Sequence, residues 1–117
     1  MNKEEMKQRT KRFALNIIQL VGALPQGQIA NVLGRQLLRS GTSVGSNYQA
    51  ACRAKSTADF IAKMGVVEEE TDETIYWMEL LVESGIVQSD TVGTLMKEAN
   101  ELLAITVSSI KTARRNK

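Results

Sequence analysis

Apolar residues recur along this chain at alternating steps of four and three, a rhythm that leaves little choice of fold. Met6, Thr10, Phe13, Ile17, Leu20 and Leu24 fall on one face of a helix about five turns long. Ile18 and Val21 widen the stripe. Pro25 with Gly27 ends it, because proline disfavours helix in the residue before it. Ile29, Val32, Leu33 and Leu37 carry helical spacing into a second segment. The run Ser40-Gly41-Thr42-Ser43-Val44-Gly45-Ser46-Asn47 has the composition of a loop, yet Leu33, Leu37, Val44, Tyr48, Ala51 and Cys52 keep one helical phase across it. We read it as continuous helix, at a propensity cost of about 1 kcal/mol per Gly, with the small residues admitting a neighbouring helix. The alternative is a break between Gly41 and Gly45. Asn47, mid-helix beside that run, is expected to be buried and hydrogen-bonded across helices, fixing register.

Ser56 or Thr57 is suited to cap a third helix, with Asp59 adding negative charge to its first turn. Phe60, Met64, Val67, Thr71, Thr74, Met78 and Leu81 form its stripe, and Ile61, Ile75, Trp77 and Leu80 add apolar surface beyond it. Gly85 suits a C-cap. Ser89 or Asp90 opens a fourth helix, whose stripe is Val92, Met96, Ala99, Leu103, Thr106, Ile110 and Ala113, with Leu95, Leu102, Ile105 and Val107 alongside. Four helices of about 20 to 27 residues with short connections predict an all-α, antiparallel up-down-up-down four-helix bundle. A length of 117 residues suits one domain spanning 1–117. Aromatics are 4%, so its core must be mostly aliphatic.

Catalysis finds few tools here. The chain has no His, which removes the commonest general base and transition-metal ligand. Glu68, Glu69, Glu70, Asp72 and Glu73 cluster on the third helix, but di-iron bundles pair Glu with His. We read the cluster as a solvated or intersubunit acidic face, a weak divalent-cation site being the lesser alternative. Cys52 has Arg53 and Lys55 nearby but no base, which suits a packed thiol. Ser40, Ser43 and Ser46 also lack a base, and Gly45 is followed by Ser46-Asn47 rather than the Lys of a phosphate loop. No enzyme activity, metal or cofactor is expected. A single cysteine forms no internal disulfide and fits a reducing cytosol. Residues 1–13 are charged without the apolar core of a signal peptide, and no run of about 18 apolar residues exists. The expectation is a cytoplasmic protein with no membrane partner.

Net charge is only +2, but its layout is uneven. In an up-down bundle one pole collects the start of the first helix, the second-to-third turn and the end of the fourth. Lys3, Lys7, Arg9, Lys11, Arg12, Arg53, Lys55, Lys63, Lys111, Arg114, Arg115 and Lys117 gather there, against Glu4, Glu5 and Asp59. Glu79, Glu83, Asp90, Glu98 and Glu101 belong to the middle or the opposite pole. Such a surface suits RNA or DNA backbone without sequence readout. The plainer reading is that these cations aid solubility and complement the dipole of the last helix. Few aromatics are free for base stacking, so single-strand readout by stacking looks poor. The alternative to nucleic acid is a protein partner held on the acidic helix and apolar edges.

Two blocks resemble a known family. Leu37-Leu38-Arg39-Ser40-Gly41-Thr42-Ser43-Val44-Gly45-Ser46-Asn47-Tyr48-Gln49-Ala50 is similar to a signature of the bacterial four-helix-bundle proteins encoded in intervening sequences of 23S ribosomal RNA genes. Ala58-Asp59-Phe60-Ile61-Ala62-Lys63-Met64, with Glu70, Glu73, Thr74, Tyr76, Trp77, Leu80 and Leu81, matches a second block. The resemblance implies a homopentamer with a central channel, suspected of binding RNA or DNA, and related to the accessory variability proteins of diversity-generating retroelements. Gly65 and Asp72 stand where the family often has Ser, and Ile75 where it often has Glu. The apolar Ile75, with Tyr48, Tyr76 and Trp77, is the candidate subunit-contact surface.

Overall fold

The computed structural model describes residues 1–116 and contains four helices: α1 (Lys3–Gly22), α2 (Gln28–Cys52), α3 (Thr57–Glu83) and α4 (Ser89–Arg115). Lys117 lies outside the described residues. Local chemistry sets most of the ends. Asn2 caps α1, its Oδ1 accepting from the Glu5 N–H at 2.9 Å while Glu5 reaches back to the Asn2 N–H at 3.4 Å. Ser56, rather than Thr57, caps α3 by accepting from the Asp59 N–H at 3.0 Å. The C-terminus of α3 closes as a Schellman turn. Gly85 has φ +81° and donates to the Val82 carbonyl, and Ile86 donates to that of Leu81.

The four helices form an elongated bundle of 47 × 21 × 20 Å. Each helix packs on its sequence neighbours, and α4 returns to α1 to close a square. That last seam is the least closely packed of the four. The core runs the length of the bundle through Phe13, Ile17, Leu37, Val44, Met64, Met78, Leu81 and Leu102, among others. Thr10, Thr71, Thr74 and Thr106 are fully buried among them. Each satisfies its hydroxyl on a carbonyl one turn back, at 2.7 to 2.9 Å.

The small-residue run is continuous helix, and its glycines explain why. A Cβ on Gly41 would lie 2.8 Å from Ile17 Cγ2, one on Gly45 would lie 3.2 Å from Thr10 Oγ1, and one on Gly34 would lie 3.1 Å from Leu24 Cδ1. These glycines let α1 approach α2 along most of its length. Cross-helix register in this region is fixed by Ser40 and Thr74, whose buried hydroxyls hydrogen-bond at 2.9 Å. Asn47 does not supply that bond. It is half-buried and donates to the Ser43 carbonyl of its own helix at 2.8 Å.

The expected core faces need three corrections. Ile29 and Val32 are 65% and 48% exposed, because the face of α2 toward the core is carried by Ala30, Gly34 and Leu37. In α4, Leu95 and Leu102 are buried, while Met96 and Leu103 are only half-buried. Ile18, expected to widen the α1 stripe, is 47% exposed.

Candidate nucleic-acid interface

The up-down topology brings three remote segments to one end of the bundle. Lys3 and Asn116, from the starts and ends of the outer helices, line one cleft of about 340 Å3 with Ala51, Cys52, Ala54, Lys55, Ser56, Thr57, Phe60 and Ala113. Arg53 lies in the turn beside it, and Arg114 and Arg115 lie in the last turn of α4. All three arginine side chains are exposed. Among the described residues, Lys3, Arg53, Lys55, Arg114 and Arg115 make no salt bridge. Two of the three acids of this end face cations, while Glu5 turns back to the Asn2 N–H. Asp59 accepts from Lys63 Nζ at 2.6 Å and from the Lys55 backbone N–H at 3.0 Å. These partners hold its carboxyl below the usual range, the Lys63 hydrogen bond most of all. Glu4 lies 3.5 Å from Lys7 Nζ.

The basic set is smaller than the sequence suggests. Arg9 is not free. Its guanidinium grips Glu98 through two bonds of 2.6 and 2.7 Å, and Glu101 through a third of 2.6 Å. The hydrogen bond to Glu98 leads in raising its already high pKa. Glu98 and Glu101 therefore serve the α1–α4 seam, where Arg9, Arg12, Phe13 and Asn16 face Thr94, Leu95 and Lys97 across a cleft of about 470 Å3. Arg12 and Lys11 are exposed along the side of α1, roughly 13 Å from Lys3 at 1.5 Å per residue, so they flank the pole rather than crown it. Lys111 lines a shallow hollow on α4 with Asn100, Leu103, Ala104, Val107 and Ser108.

The acidic stretch of α3 is divided by its environment. Arg39 of α2 forks onto Glu70 at 3.2 Å and Glu73 at 2.8 Å, tying α2 to α3. Glu69 and Asp72 are exposed. Among the described residues no three carboxylate or thiol groups converge in a metal-binding arrangement.

Of the four residues assigned to a subunit-contact surface, Tyr48 is a core residue, 8% exposed. Burial, with the Cys52 thiol one turn on, pushes its phenol pKa up. Ile75 and Trp77 are half-buried against the core cluster, and Tyr76 is 53% exposed. The Tyr76 and Trp77 rings meet edge-to-face, 5.3 Å apart at 65°. The Trp77 indole N–H is buried without an acceptor among the described residues. A larger exposed apolar set was missed by periodicity: Leu15 and Ile18 on α1, Ile29 and Val32 on α2, and Val66 on α3. The pole cleft was missed too, although the signal existed: Cys52 and Phe60 flank the turn that also carries Arg53 and Lys55.

Among the described residues no helix is long and apolar enough to cross a membrane. No curated protein matches the chain significantly. A solved structure from Bacteroides thetaiotaomicron, described as a protein of unknown function from the S23 ribosomal protein family, is similar at 34% identity and a TM-score of 0.87. The similarity covers 95% of this chain and 99% of that one. The family model described as 23S rRNA-intervening sequence protein matches residues 2–108. With that match over nearly its whole length, the chain belongs to the family of 23S rRNA-intervening sequence proteins.

Proposed function

We propose that the chain acts without catalysis, as a homo-oligomer that takes the phosphate backbone of RNA or DNA on its basic pole. The observation that carries this reading is the gathering of Lys3, Arg53, Lys55, Arg114 and Arg115 at one end with no salt bridge to a carboxylate among the described residues. Such cations bind phosphates by releasing counterions, so affinity falls steeply with salt. The exposed Leu15, Ile18, Ile29 and Val32 support self-association, since burying apolar area is what an oligomer interface gains. Five subunits, as the family resemblance implies, would repeat the basic pole into a ring.

Gel-shift titration of RNA and duplex DNA at two salt concentrations tests the binding. Retarded complexes at low salt, weakened by the paired reversals Arg114→Glu and Arg115→Glu, are expected. No complex at low salt defeats the nucleic-acid reading. Light scattering at micromolar concentration tests assembly, and a monomer there defeats that part. The same exposed apolar residues favour a second reading, a scaffold for another protein. It gains ground if a stoichiometric partner co-purifies and the charge reversals leave it bound.

A further inference from the structure

The proposed interface contains one concave site whose chemistry is narrower than a field of positive charge. The pole cleft, about 340 Å3, has an apolar lining of Ala51, Cys52, Ala54, Phe60 and Ala113. Phe60 occupies the register of the α3 core stripe, but it is half-buried where Met64 and Val67 are buried. Its ring is thus an aromatic surface reachable from the basic end. Lys3 and Lys55 line the same cleft and, among the described residues, make no salt bridge. Ser56 Oγ accepts from the Asp59 N–H, which leaves its own hydroxyl hydrogen to donate. Thr57 and Asn116 add further polar groups.

Paired bases inside a duplex keep their faces stacked and cannot enter such a cleft. A flat apolar face beside a phosphate fits it, and that combination is a single unstacked nucleotide. The charge around the cleft, from Arg53, Arg114 and Arg115, is complementary to the strand that such a nucleotide would belong to. We propose that the pole cleft takes one unpaired nucleotide of a strand end or loop, its base against Phe60 and its phosphate between Lys3 and Lys55. The proposal rests on the basic pole being a nucleic-acid interface. It adds a preference for unpaired nucleotides over closed duplex, of about tenfold for one base stacked on one aromatic ring.

Cys52, the single cysteine of the chain, lines the cleft and reports its occupancy through the rate of maleimide labelling. A 12-nucleotide single strand should slow labelling several-fold, and millimolar AMP should slow it as well. Ribose 5-phosphate, and a duplex sealed at both ends by non-nucleotide linkers, should not. If the single strand shifts in a gel while Cys52 labels at its free rate, the cleft proposal is overturned and the backbone reading survives. If neither nucleic acid shifts at low salt, both fall. Ala54→Trp fills the cleft from the turn and gives an independent measurement. It should abolish the preference for single strand over sealed duplex, read as the ratio of the two affinities. Retention of the preference, or equal loss of both affinities in a folded variant, overturns the proposal.

Discussion

Replacing Gly41 with Ala adds one methyl group to the centre of α2, and the structure fixes what that methyl meets. Its carbon would lie 2.8, 2.9 and 3.2 Å from Cγ2, Cγ1 and Cβ of Ile17, well inside van der Waals contact. Ile17 is fully buried and β-branched, so a helix holds it in one strongly preferred rotamer and it cannot swing aside. Relief must come from moving α1 away from α2, which also loosens the contacts at Gly34 and Gly45. Alanine gains about 1 kcal/mol of helix propensity over glycine, and overpacking a closed core costs about 1–3 kcal/mol. With backbone displaced at three contacts we take the upper part of that range, so Gly41→Ala should lose about 1–2 kcal/mol net, or roughly 4–8 °C in Tm. Gly65→Ala and Gly93→Ala provide the control. Both positions are inside helices with nothing within 4 Å of the added carbon, so both should gain up to about 1 kcal/mol. Thermal and urea unfolding followed by circular dichroism, at one protein concentration, reads all three. On an Ile17→Ala background the Gly41→Ala penalty should shrink or reverse, because the clashing Cγ atoms are gone. A Gly41→Ala protein as stable as the parent would refute the close approach of α1 to α2.

Other perturbations test individual contacts. Arg9→Met should destabilise by about 1 kcal/mol at low salt and less at high salt, the clasp being partly solvent-screened. It should leave nucleic-acid affinity unchanged in a gel shift, because Arg9 is already committed to Glu98 and Glu101. Thr74→Val leaves the buried Ser40 hydroxyl only its 3.3 Å bond to the Leu37 carbonyl and should cost about 1 kcal/mol in urea unfolding, with Ser40→Ala added on top restoring part of the loss. The depressed pKa of Asp59 stabilises the fold at pH values above its unfolded value near 3.8, and that contribution is lost as pH falls through the lower folded value. Asp59→Asn should therefore flatten the acid limb of the stability profile. The raised pKa of Tyr48 has the opposite sign: its contribution is complete below about pH 10 and is lost above it, so Tyr48→Phe should flatten the alkaline limb.

The bundle is legible in the sequence where apolar side chains mark the core. On α1 the buried residues Met6, Thr10, Phe13, Ile17 and Leu20 are the predicted stripe, and on α3 the stripe from Met64 to Leu81 is buried throughout. On α2 the expected Leu37, Val44, Tyr48 and Ala51 are buried, but the reading fails in its first turns for a physical reason. There much of the core face is glycine, and a glycine that admits a neighbouring backbone carries no hydropathy signal. The apolar pattern was therefore drawn sideways to Ile29 and Val32, which face out. The basic pole follows from topology alone, and Lys3, Arg53, Lys55, Arg114 and Arg115 gather there. Which cations stay free does not follow, because pairing depends on the rotation of α1 against α4: residues 89 positions apart, Arg9 and Glu98, meet only in the folded chain. Phe60 shows the same limit at the cleft, since helical phase says which way a side chain faces but not how far the neighbouring helices extend to cover it.

The unequal seams of the bundle have a mechanical consequence. Three of the four joints are tight, and the fourth, between α1 and α4, is closed by the Arg9 clasp over a cleft. The molecule is in effect a three-hinged strip of helices rolled into a tube, fastened along one edge by an ionic catch. A tube built this way does not loosen evenly when stressed. Amide hydrogens facing that edge should exchange first as the catch is unfastened by salt, while the α1–α2 joint, interlocked at Gly34, Gly41 and Gly45, stays shut.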